Sequence, residues 1–139
     1  MFDWLKAKSA KPKTLGRLGE EFAQAEYKKL GFKIVAANEY NKKGKQLGEI
    51  DFIAKNKQKI VFVEVKTRNI LPGKFGTAVE AVDVYKQRKI LRATKAYLLK
   101  NQKYQSLQPQ IDVCAVSCSQ LDKPVFSVKI IANAVEDWI

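Results

Sequence analysis

Apolar positions along this chain follow two regimes, one recurring every three to four residues and the other alternating or running continuously. From Thr14 to Leu30, the residues Leu15, Leu18, Phe22 and Leu30 form an approximate helical stripe. Thr14 can cap its start and Gly31 can end it, with Glu20 and Glu21 in the second turn. The pattern changes at Phe32: residues 32–37 predict a strand and Asn41 to Gly48 a polar, lysine-rich loop. Two stronger strands are predicted at Glu49 to Ala54 and Lys59 to Thr67, joined by Lys55-Asn56-Lys57-Gln58, a short link suited to a hairpin. Asn69 to Gly76, containing Pro72-Gly73, has the composition of a loop. Val84, Ile90, Leu91, Thr94, Tyr97 and Leu98 then predict a second helix ending near Lys100. Ile111 to Ser117 and Val125 to Ile131 predict two more strands, and 133–139 a short terminal helix or tail. The order α-β-β-β-α-β-β predicts an α/β sandwich with a mixed five-stranded sheet.

Alternation along the strands has a chemical consequence. Glu64 and Lys66 must project from one face of their strand, while Val63, Val65 and Thr67 project from the other. Across the hairpin, positions 49, 51 and 53 share a face with 60, 62, 64 and 66, which sets Asp51 opposite or diagonal to Glu64. Two carboxylates about 5 Å apart repel by roughly 3 kcal/mol at an effective dielectric near 20. Such a pair could be a solvated edge feature, but Ile50, Phe52, Ile53 and the run Ile60-Val61-Phe62-Val63 are apolar on both faces and indicate central strands. A divalent cation would relieve the repulsion. Mg²⁺ accepts one or two carboxylates together with waters and phosphate oxygens.

Charge narrows the partners. The chain has 139 residues, the size of one domain, with 46% hydrophobic and 29% charged residues. Residues 1–13 form a basic lead-in interrupted by Pro12, and a single domain is expected over 14–139. Lys plus Arg number 26 against 14 Asp plus Glu, a formal +12, so a polyanion is the expected partner, and nucleic acid first among polyanions. A membrane partner would need an apolar anchor, for which only Met1 to Leu5 could serve, so no membrane association is expected. No run approaches a membrane span or a signal peptide, and a cytoplasmic location is expected. Cys114 and Cys118 are expected to be reduced core residues. The chain contains no histidine, which excludes His-based triads and His-metal nuclease chemistry and leaves carboxylates, lysine, tyrosine or a metal-activated water. Lys86, Lys89, Arg92 and Lys95 recur every three residues along the second helix. This flank, with Arg68, Lys74 and the 41–45 loop, is expected to track phosphates.

These residues resemble a known pattern. Asp51, followed thirteen positions later by Glu64-Val65-Lys66, resembles the PD-(D/E)xK motif of restriction-endonuclease-like nucleases, with Ile50 in place of the usual proline. Gly16-Arg17-Leu18-Gly19-Glu20, the run Gly48 to Ala54 and the run Val61 to Arg68 resemble the YraN-type family (UPF0102), which is similar to archaeal Holliday junction resolvases. Further matching segments lie at Ala78 to Val82, Lys86-Gln87, Ala96 to Leu98 and Ile111 to Val113, so the resemblance covers about 14–135. It implies a restriction-endonuclease-like three-layer sandwich and a Mg²⁺- or Mn²⁺-dependent endonuclease acting on DNA, branched DNA included. Asp51 and Glu64 would be the metal ligands, Lys66 the catalytic lysine, and an acid of the first helix would complete the site. By its distance from Gly31-Phe32, Glu20 fits that role better than Glu21. Glu49 could join the cluster, but resolvase-like sequences require no acid there, so a supporting position is expected. Gln87 is a further candidate to hold a water or a phosphate. The alternative is a nucleic-acid-binding adaptor that keeps the fold and charge without cutting. By analogy with two-fold symmetric junctions, a homodimer would suit the task.

Overall fold

The structure, a computed structural model, describes residues 14–37, 50–69, 84–119 and 125–135. The basic lead-in, the predicted loop at 41–48, the predicted loop at 69–76 beyond Asn69, residues 136–139, and the candidates Glu49 and Lys74 lie outside the described residues. In chain order the elements are α1 (Leu15–Lys29), β1 (Lys33–Ala37), β2 (Phe52–Lys55), β3 (Lys59–Arg68), α2 (Val84–Lys100), a 3₁₀ turn (Gln102–Tyr104), β4 (Gln108–Cys118) and β5 (Phe126–Ile131). The predicted order of helices and strands is the one found.

Among the described residues the sheet has five strands in the order β1-β2-β3-β4-β5. It is mixed: β3 and β4 run parallel and the other neighbours antiparallel. Each face carries its own core. On one side Ala23 and Tyr27 of α1 pack against Phe52, Ala54, Val61, Val63, Cys114 and Val116. On the other, Ile90 of α2 packs with Ile50, Ile53, Ile60, Phe62, Ile111 and Val135. One helix on each face gives three layers, and both cysteines are buried and free. No helix among the described residues is long and apolar enough to cross a membrane.

Three local differences from the sequence reading have physical causes. The buried stripe of α1 is Gly19, Ala23 and Tyr27, whereas Leu15 is 37% and Leu30 58% exposed. Small residues face the sheet because the helix lies very close to it. A Cβ at Gly19 would run into the Thr67 hydroxyl and sit 2.9 Å from Thr67 Cβ. Next, β4 begins at Gln108, ahead of the predicted Ile111, because the parallel pairing with β3 extends to Lys59↔Gln108. Pro109 is tolerated there because β5 pairs with β4 only from Val113, so its missing N–H faces no partner strand. Finally, β2 begins at Phe52, and Asp51 continues it only through its N–H, which donates to Val63 O at 2.9 Å.

A buried polar knot fastens the α1 layer to the sheet. Asp112 of β4 is 2% exposed. Its Oδ2 accepts from the Tyr27 hydroxyl at 2.6 Å, and its Oδ1 accepts from Gln110 Nε2 at 2.8 Å and Asn133 N at 2.9 Å. Burial first, then the neighbouring Asp112 charge, drives the Tyr27 phenol well above its ordinary range, so it remains a donor.

Candidate active site

The β2–β3 register pairs Phe52 with Val63 and Ile53 with Phe62. Asp51, one residue ahead of β2, donates its N–H to Val63 O and lies close enough to Glu64 to feel its charge. Asp51 is clasped to β3, its Oδ2 accepting from Val65 N at 2.7 Å. Glu64 is 5% exposed. Lys66, two residues along the same strand face, places Nζ 3.5 Å from Glu64 Oε1. Lys86, from the first turn of α2, reaches the same oxygen at 3.6 Å. Glu20 is half-buried on α1 and its side chain hydrogen-bonds Asp51. One strand, one strand end and both helices therefore contribute to a single cluster.

Its electrostatics follow from burial. Desolvation first and the Glu64 charge second push the Asp51 carboxyl up to about 6. The Val65 N–H, the Glu20 hydrogen bond and Lys86 oppose that rise without cancelling it. Two lysines on Glu64 and hydrogen bonds to Asp51 from Val65 N–H and the Glu20 side chain are the devices by which these crowded acids coexist. Among the described residues no three acid or cysteine side chains are already gathered as a metal site. Asp51 and Glu64 nevertheless offer hard oxygen donors, the chemistry that Mg²⁺ or Mn²⁺ takes together with waters and phosphate oxygens.

The sign of a pH effect follows. In the unfolded chain Asp51 would release its proton near 3.8, and in the metal-free fold near 6, so the folded state binds the extra proton between these values. Stability owed to this group is highest below that window, falls as pH rises through it, and stays lower above. Asp51→Asn, which cannot ionise, is expected to lack that fall. In chemical denaturation with chelator, its stability relative to the parent should improve between about pH 4 and about pH 7. A relative stability independent of pH would contradict the assignment.

Glu20 reaches the cluster because Gly19 lets α1 approach β3. Gly19→Ala is expected to lower stability by about 1–3 kcal/mol through overpacking, less the roughly 1 kcal/mol by which Ala favours a helix over Gly. Combining it with Thr67→Ala, which removes the hydroxyl and methyl from the clash, should recover part of the loss in thermal denaturation. An unchanged melting temperature for Gly19→Ala alone would show that the close approach is not needed.

The structure thus brings together Asp51, Glu64, Lys66 and Glu20 of the candidates named from the sequence. Lys86, expected on the phosphate-tracking flank, has its ammonium on Glu64. Position 86 carries no sequence signal for that contact, which depends on how α2 lies across the sheet. Gln87 follows it on α2, half-buried. Arg68 ends β3, with Nη1 donating to Thr67 O at 3.2 Å. Lys89 Nζ sits 4.5 Å from the centre of the Tyr85 ring, and Arg92 is exposed.

Comparison with known proteins gives the lineage. Residues 19–116 match the family model described as "Uncharacterised protein family UPF0102". A UPF0102 protein of Caldanaerobacter subterraneus subsp. tengcongensis is 39% identical over 127 residues, covering 91% of this chain and 98% of the relative. One from Caldicellulosiruptor saccharolyticus is 40% identical over 120 residues, covering 86% and 95%. Another, from Syntrophotalea carbinolica, is 41% identical over 103 residues, covering 74% and 78%. The matched span contains Glu20, Asp51, Glu64, Lys66 and Lys86 alike, and the chain belongs to the UPF0102 family.

Proposed function

We propose that this protein is a divalent-cation-dependent endonuclease of restriction-endonuclease-like fold that hydrolyses phosphodiester bonds in DNA, branched DNA included. The observation that carries the reading is the half-buried Asp51 beside Glu64, its carboxyl raised first by burial and then by the Glu64 charge, with Lys66 Nζ 3.5 Å from Glu64. A structural salt bridge requires one acid for one base. Here both lysines sit on Glu64, and Asp51 beside it is held by Val65 N–H and the Glu20 side chain, an arrangement with more members than one ion pair needs.

Asp51 and Glu64 would hold Mg²⁺ or Mn²⁺. When bound, such an ion neutralises charge on the scissile phosphate and lowers the pKa of a water. The chain's own residues do the rest. Asp51 is held by the Val65 N–H, which ties its carboxylate to β3 one residue beyond Glu64. Lys66, a half-buried ammonium within reach of Glu64, orients the attacking water or donates to the phosphate oxygen on which charge develops. Glu20 steadies Asp51 from the α1 side. The net positive charge of the chain brings the polyanion to the site.

A second reading, a nucleic-acid-binding adaptor without hydrolysis, draws on the two lysines that already neutralise Glu64. One experiment separates the two. Purified protein is incubated with duplex, single-stranded and four-way-junction DNA, with Mg²⁺ or Mn²⁺ and with chelator. Cleavage that needs the ion and disappears in Asp51→Asn is expected. Binding that persists in chelator, with no cleavage of any substrate under any of these conditions, selects the adaptor.

A further inference from the structure

At the far end of β2 from the carboxylates, the hairpin between β2 and β3 borders an open pocket of about 450 Å³ lined by Gly31, Lys33, Lys55, Asn56, Lys57 and Gln58. Its charge is unusual. Lys33 of β1 and Lys55 of β2 are register partners on neighbouring strands, so two ammonium groups emerge side by side from one face of the sheet. Like charges directly opposite each other destabilise a sheet. Lys57 adds a third, and among the described residues no carboxylate pairs with any of them.

The floor beneath these lysines is fixed. Asn56 Oδ1 accepts from Gln58 N at 2.9 Å and Lys59 N at 2.7 Å, and Asn56 N donates to Lys59 O at 3.0 Å. Gln58 O in turn accepts from Gln108 N at 2.8 Å, tying the turn to β4. The α1 end bordering the pocket is also settled, since Leu30 N, Gly31 N and Phe32 N occupy the last helix carbonyls. Gly31, at φ +94°, leaves the space beside it open. Surface lysines usually wave in water. These three instead line a concavity on a rigid turn, in a register that costs stability unless an anion lies between them.

We infer that this pocket is a second phosphate-binding site, which takes the backbone of the same nucleic-acid strand whose scissile phosphate lies at Asp51 and Glu64. The inference rests on the function proposed above and adds a contact to it. Four residues of strand separate Asp51 from Lys55, roughly 13 Å. That is about four steps along a duplex at ~3.4 Å each. A strand gripped at both points would be fixed in direction across the carboxylates, so the pocket serves affinity and orientation while the chemistry stays with Asp51, Glu64 and Lys66.

The test compares two triple variants with equal loss of charge. One is Lys33→Gln, Lys55→Gln and Lys57→Gln in the pocket, and the other is Lys100→Gln, Lys103→Gln and Lys129→Gln at exposed positions elsewhere. Affinity for duplex DNA is measured by fluorescence anisotropy across a range of salt. The pocket triple is expected to reduce the slope of log affinity against log salt by about 3 and to weaken binding about ten- to hundredfold, with the control triple changing little. Titration with inorganic phosphate should shift the amide resonances of Asn56, Lys57 and Gln58 in the parent and not in the pocket triple. Equal effects of the two triples, or parental binding by the pocket triple in a protein that still cuts DNA, overturn the pocket and leave the proposed function standing. A parent that shows the phosphate shifts yet binds no DNA overturns the nucleic-acid occupant and the proposed function together.

Discussion

Lys66→Met is expected to slow metal-dependent DNA cleavage at saturating substrate by about 100- to 1,000-fold while changing DNA affinity by only a fewfold, the range for losing one charged donor aimed at a transition state. Met preserves length and packing and removes the charge alone. The fold should tolerate it, because Lys86 still faces the same Glu64 oxygen and Glu64 is not left without a cation. The split between rate and affinity is what distinguishes a reacting group from a backbone contact, for which affinity falls and the saturated rate holds. Single-turnover cleavage and anisotropy binding on one preparation measure both. Parental cleavage by Lys66→Met would remove lysine from the chemistry and with it the main reason to read the cluster as hydrolytic.

Asp112→Ala should be the most destabilising single change described here, by about 3–5 kcal/mol in chemical denaturation. The loss exceeds that of one hydrogen bond because three donors converge on this carboxylate. The Tyr27 hydroxyl, fully inside the α1 layer, would be left without an acceptor, and so would the main-chain N–H of Asn133, held at φ +53°. Tyr27→Phe removes one donor and leaves Asp112 two others, so a smaller loss of about 1–3 kcal/mol is expected. If the two residues act through each other, the double variant should lose clearly less than the sum of the singles. Strictly additive losses, or less than about 1 kcal/mol for Asp112→Ala, would show that the knot does not hold the layers together.

Strand alternation accounts for Glu64 and Lys66 sharing a face, because β3 is regular there. Asp51 lies ahead of β2, where Ile50 and Ile53 pack in the same core and the alternation is interrupted, so counting residues does not by itself place it. Element order was legible because the period of the apolar pattern changes where helix gives way to strand. What escaped the sequence depends on how layers meet. Lys86 lies more than twenty residues beyond Glu64, on a helix whose rotation about its axis decides which lysine faces inward. Tyr27 and Asp112 are 85 positions apart and read singly as a helix aromatic and a strand acid. Of the predicted α1 stripe Phe22 packs against the core while Leu15 and Leu30 are exposed, because a helix pressed against a sheet puts Gly19 and Ala23 at the closest approach. Polar Gln108, Pro109 and Gln110 carry no strand propensity and are recruited by ten consecutive residues of β3 that already offer a parallel edge.

The parallel β3–β4 pair has a consequence for the order in which the chain can become itself. A hairpin such as β2–β3 closes over a short turn, but β4 can join β3 only after the intervening chain, α2 included, has crossed the sheet. A newly made chain therefore brings Asp51 close to Glu64 well before Lys86 arrives to soften their quarrel. During that interval Lys66, on the same strand, is the cation the hairpin itself supplies to Glu64, so acidity and ionic surroundings should bear on how readily the molecule matures.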